Sequence, residues 1–88
     1  MSNGALTRGD VLWLVGELHK ANAEISAGNR DRYVAGRRVA LASAASRLLR
    51  ISRDDLHRYM AWVSEQVESG ERIGSLEEPT GWIRKNHA

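Results

Sequence analysis

The chain has no cysteine, no phenylalanine and a single proline among its 88 residues. Without cysteine there is neither a disulfide framework nor a thiolate metal site, and a reducing cytoplasm is the expected compartment. The longest apolar run, Val11 to Val15, is too short for a signal-peptide core and far from the ~20 residues of a membrane span. The one proline, at position 79, lies near the end of the chain. Low-complexity tracts, internal repeats and alternating strand patterns are all missing, and the expected protein is soluble and cytoplasmic.

What remains is a helical pattern of ordinary globular composition, 42% apolar and 27% charged. A chain of this length makes one domain that buries roughly 60% of its unfolded surface. Thr7 and Asp10 form an S/T-x-x-D cap ahead of Val11, Leu14, Val15, Leu18 and Ile25, which predicts a first helix from about Gly9 to Ser26, with Leu12 and Trp13 widening its apolar face. Ala27-Gly28-Asn29 supplies a left-handed stop and a new cap. From Asn29 to Leu49 the stripe Val34, Leu41, Ala45 and Leu48, flanked by Tyr33, Ala44 and Ile51, predicts a second helix. Arg37 falls within that stripe, so either it extends outward along its stem or the helix breaks near Gly36.

Ser52 caps a third helix, about Arg53 to Glu68, with Asp55 placed to bond back and Leu56, Tyr59, Met60, Val63 and Val67 on its buried face. Gly70 ends it. Pro79 can open a last short helix that Trp82 and Ile83 pin to the bundle. The expected fold is all-α: three main helices plus a short C-terminal helix or turn, a single domain over residues 1–88 with an ordered core of about 9–84.

Net charge is only +2, yet residues 30–58 carry eight arginines against Asp31, Asp54 and Asp55, a local +5, while the flanks together carry −3. Such a basic middle attracts a polyanion or an acidic protein equally well. On one continuous helix these arginines do not share a single face. His19, His57 and His87 lack metal-ligand spacing, and the segment 70–75 lacks the lysine and hydroxyl of a phosphate loop. No constellation supports catalysis, and no cofactor is expected. A homodimer through Val11, Leu14, Val15 and Leu18 is open, although the monomer core needs the same stripe. Helix 1 has acids and no basic flank, which disfavours a membrane surface.

Residues 45–60 resemble the C-terminal helix-turn-helix of Fis-type and bacterial enhancer-binding regulators, whose pattern runs approximately A-A-x-x-L-G-I-S-x-x-T-L-x-R-x-L. Ala45, Leu49, Ile51, Ser52, Leu56, Arg58 and Met60 fall in step with it. The resemblance implies double-stranded DNA as partner, with Arg53 and His57 facing bases and Arg47 or Arg58 facing phosphates. The chain departs from the pattern twice: Arg50 stands at the turn glycine, and Asp54 and Asp55 occupy the first turn of the reading helix. Two expectations follow. One is a small DNA-binding regulator; the other is a helical protein-interaction module, an adaptor or an inhibitor of mobile-element type, that binds a larger protein through its arginine-rich surface. Arg47, Arg50, Arg53, Asp54, His57, Arg58 and Trp62 are the expected nucleic-acid or partner-binding residues. Trp62 is included because it falls off the buried stripe of helix 3.

Overall fold

A computed structural model describes residues 6–86; the first five residues and the last two, His87 among them, lie outside it. Its elements are α1 (Arg8–Ser26), α2 (Arg32–Leu49), α3 (Arg53–Glu68), a 3₁₀ turn (Ile73–Ser75) and α4 (Pro79–Asn86). Each start has a local cause. The Thr7 hydroxyl accepts from the Asp10 amide at 3.0 Å while the Asp10 carboxylate accepts from the Thr7 amide at 3.2 Å, a reciprocal capping box. Ser52 accepts the Asp55 amide at 3.0 Å and opens α3. The cap of α2 is Asp31, which takes the Tyr33 amide at 2.9 Å; Asn29, expected to start that helix, instead accepts the Asp31 amide and shapes the loop. Gly28 (φ +96°) and Gly70 (φ +101°) supply the left-handed backbone that follows α1 and α3.

α2 does not break at Gly36. Arg37 sits at the edge of the helix, half-buried, and pairs with Glu17 of α1. Lys20 also reaches Glu17, at 3.1 Å, and that hydrogen bond, with the Lys20 and Arg37 charges, holds the carboxyl below its ordinary range.

The core joins Leu14, Val15 and Leu18 of α1, Ala42 and Ala45 of α2, and Leu56, Tyr59, Met60 and Val63 of α3, closed by Leu76. This corrects the expected face of α2. Ala42 and Ala45 point inward, Leu41 and Leu49 pack at the margin, and Leu48 and Tyr33 stand in solvent at 57% and 74% exposure. Methyl side chains at 42 and 45 let α2 lie close to its neighbours, which turns position 48 outward. Trp13 is likewise exposed, at 65%, because positions 11, 12, 14, 15, 18 and 21 define an inward arc that position 13 opposes. The stripe weighed for a homodimer, Val11, Leu14, Val15 and Leu18, is buried within the monomer.

The chain after α3 folds back as a strap. Tyr59, buried completely, donates its hydroxyl to the Glu77 carbonyl at 2.7 Å, and Arg8 donates to the Leu76 carbonyl at 2.7 Å. Trp62 and Trp82 pack on Tyr59 with ring centroids 5.7 Å from it and 5.5 Å from each other. Burial pushes the Tyr59 phenol well above its ordinary value, and the Glu78 charge adds to this. The unfolded chain ionises that phenol near pH 10, so the folded state retains a proton the unfolded state gives up, and stability falls as pH rises past about 10. The denaturation midpoint is expected to decline between about pH 10 and 12 in the wild type and more gently in Tyr59→Phe.

The turn between α2 and α3 carries the main backbone strain. Arg50 adopts φ 56°, ψ 47°, the only non-glycine residue at positive φ among the described residues. A left-handed L-residue costs roughly 1–2 kcal/mol. Arg50→Gly is therefore expected to raise stability by about 1 kcal/mol and the melting temperature by about 4–8 °C. A thermal melt in which the glycine variant is no more stable contradicts that strain.

Candidate partner-binding surfaces

The α2–α3 unit folds with the features its sequence prescribes. Arg50 closes α2 in the left-handed conformation, its amide and that of Ile51 both donate to the Ser46 carbonyl, and the Ser46 hydroxyl donates to the Ile51 carbonyl. Ser52 then caps α3. The expected binding residues, however, do not form one surface.

Arg53, Asp54 and His57 line a cleft between α1, α2 and α3. Arg53 also reaches across to α2, donating to the Ser43 hydroxyl at 3.0 Å. Arg58 turns the other way, pairing with Asp55 at 2.7 Å and donating to the Asn86 carbonyl at the end of α4. Its guanidinium thus belongs to the seam between α3 and α4 rather than to a phosphate-facing edge. Trp62, expected at an exposed edge, is half-buried in the aromatic cluster because α4 lays Trp82 over it. Arg47 and Arg50 are exposed.

Charge separates the two helices. α2 carries Arg32, Arg37, Arg38 and Arg47 and no acid. α3, the reading helix of the resemblance, carries Asp54, Asp55, Glu65 and Glu68 against Arg53 and Arg58, and Arg58 is paired with Asp55. Asp54 and Asp55 sit in its first turn, where they complement the helix dipole. Placed against a phosphate backbone, this helix would bring carboxylates to anions.

The outer face of α2 is the contrasting surface. Tyr33, Gly36, Ala40, Ala44, Arg47 and Leu48 recur at spacings of three, four and seven, one solvent-facing stripe, with Arg32, Val39, Ser43 and Arg50 beside it. Val39 is 48% exposed and Leu48 57%. Ala40, Ser43, Ala44, Arg47 and Leu48 line a shallow depression of about 400 Å³. Among the described residues the side chains of Arg32, Arg47 and Arg50 hold no acid and no hydrogen-bond acceptor.

Compared with family models, with curated proteins and with solved structures, the chain gives no match.

Sequence reasoning missed Tyr33, Val39 and Leu48 as surface residues because it assigned Tyr33 and Leu48 to the core side of α2. It also missed Leu18, Asn22, Ile25, Arg38 and Met60 as walls of the cleft, since helix packing alone brings them together. A signal for the outer face was present in the acid-free run from Arg32 to Arg50. Among the described residues no group of His, Asp or Glu could hold a metal ion, and no helix is long and apolar enough to cross a membrane.

Proposed function

We propose that the chain is a small non-enzymatic interaction module of the cytoplasm that binds an acidic surface of a larger protein through the outer face of α2. One observation carries this reading. The outer half of α2 combines exposed apolar bulk, Tyr33 and Leu48 toward one edge and Val39 on the other, with Arg32, Arg47 and Arg50, which have no partner among the described residues, and without a carboxylate among them. Protein interfaces of modest size favour this mixture, an apolar centre with aromatic and arginine anchors and a charged rim. Complementary charge on the partner speeds encounter and excludes basic competitors. The role is that of an adaptor or an inhibitor.

A second reading keeps the helix-turn-helix. It is favoured by the left-handed turn at Arg50 and the Ser52 cap, which reproduce the junction the resemblance calls for. Arg47 and Arg50 are then the backbone contacts. Against it stand the four acids of α3 and the pairing of Arg58 with Asp55.

A fluorescence-anisotropy titration with random-sequence duplex DNA, at low and at physiological salt, separates the two. The interaction-module reading predicts no saturable binding at micromolar protein even at low salt. Binding that falls steeply with added salt and weakens in Arg47→Ala transfers the assignment to DNA.

A further inference from the structure

The open cleft between α1, α2 and α3 is distinct from the outer face of α2, and its chemistry calls for a different occupant. It measures about 650 Å³, within the ~300–1,000 Å³ of small-molecule sites. Its floor is apolar: Leu18, Ala42, Leu56 and Met60 are all buried core residues that also line the cleft.

The mouth is charged, and unevenly. Arg38 and Arg53 face it together with one acid, Asp54, which sits exposed in the first turn of α3. Arg38 decides the matter. Its neighbour Arg37 is paired with Glu17, whereas Arg38 is half-buried and has neither an ion pair nor a hydrogen bond among the described residues. A guanidinium that lines an apolar cleft and has no counter-charge is open to an anion, which gains a charge-assisted hydrogen bond there. A neutral occupant leaves Arg38 unpaired, and a cationic one meets it with like charge.

We propose that this cleft binds a small amphiphile with an anionic head and an unbranched hydrocarbon body. The chain lies on Leu18, Ala42, Leu56 and Met60, and the head engages Arg38 with Arg53 beside it. Carboxylate and phosphate heads share the fork geometry that a guanidinium recognises. The inference does not depend on what binds the outer face of α2.

The test is a nuclear magnetic resonance titration of the full chain with decanoate, decyl phosphate, decanol and decyltrimethylammonium, each below its micelle concentration. Saturable one-to-one shifts are expected at Ala42, Leu56 and Ala61 with one or both anionic amphiphiles, the stronger of the two identifying the head. Decanol is expected to bind at least tenfold more weakly and decyltrimethylammonium not measurably. Arg38→Gln is expected to weaken the anions about tenfold while leaving decanol unchanged. Ala61→Trp fills the cleft from an exposed position and is expected to abolish binding, whereas Arg84→Gln on α4 leaves it intact. Absence of saturable shifts with either anion, or undiminished binding in Ala61→Trp, overturns the proposal. So does equal binding by all four heads, which would leave the cleft as a seat for an apolar side chain of a protein.

Discussion

Tyr59→Ala is expected to lose about 3–5 kcal/mol of stability, the range for deleting a buried aromatic ring. For 88 residues the total is about 4–13 kcal/mol, so the variant sits at the edge of folding. The size follows from what the ring joins. Its ring packs on Trp62 and Trp82, its hydroxyl holds the Glu77 carbonyl, and its body is part of the core with Leu56, Met60 and Val63. Removing it opens a cavity and also releases the strap that carries α4. Tyr59→Phe keeps the ring and loses one hydrogen bond, about 1 kcal/mol. Denaturant unfolding followed by circular dichroism gives the stabilities, and tryptophan emission gives the fate of the cluster, with exposed Trp13 as a constant background. If Tyr59→Ala stays within about 1 kcal/mol of the wild type, the strap is not held as described.

The second large effect concerns binding. Replacing Arg47 and Leu48 together by glutamate is expected to weaken the partner complex at least about 100-fold, since a central apolar anchor is worth about 2 kcal/mol or more and each 1.4 kcal/mol is tenfold. Charge reversal at Arg47 adds repulsion from an acidic partner. Both positions are exposed, but two carboxylates at the C-terminal end of α2 oppose its dipole, so the double variant is expected to lose about 0.3–1 kcal/mol per site and to remain folded. That separation matters: a partner lost with the fold intact locates the interface, whereas a partner lost through unfolding does not. Isothermal titration against the captured partner, alongside a thermal melt, reads both quantities.

The helices were legible because their ends are marked by chemistry that acts locally. Thr7 with Asp10, Ser52 before α3, Gly28 and Gly70 at positive φ, and Pro79 ahead of α4 each work within a few residues. The buried face of α3 was legible for a similar reason, since Leu56, Tyr59, Met60 and Val63 leave no competing stripe.

The orientation of α2 was not legible. Its leucines fall at 41, 48 and 49, and alanines occupy both sides, so periodicity permits more than one inward face. The choice is made across the bundle, where Ala42 and Ala45 join Leu18, Tyr59 and Met60 in the core. Trp62 was read correctly as lying off the stripe of α3. Its cover, Trp82, comes from a helix 20 positions further on, and no local pattern announces that contact.

The same limit applies to the binding surfaces. The basic middle of the chain was visible as a count, but pairing decides which arginines are available. Arg37 is taken by Glu17 and Arg58 by Asp55, which among the described residues leaves Arg32, Arg47 and Arg50 on the outer face of α2, Arg38 and Arg53 at the cleft, and Arg30 in the loop before α2. Glu17 lies 20 residues from Arg37 and meets it only through packing, whereas Asp55 is one helical turn from Arg58.

The central claim is that the outer face of α2, not the acidic face of α3, meets a protein. Site-specific photo-crosslinking in cells tests it most directly, with a photoreactive amino acid in place of Leu48 in one variant and of Glu65 in another. The account predicts one discrete protein adduct at position 48, competed by untagged wild-type chain, and none at position 65. Crosslinking to nucleic acid at either position, or a protein adduct at 65 and none at 48, would contradict it.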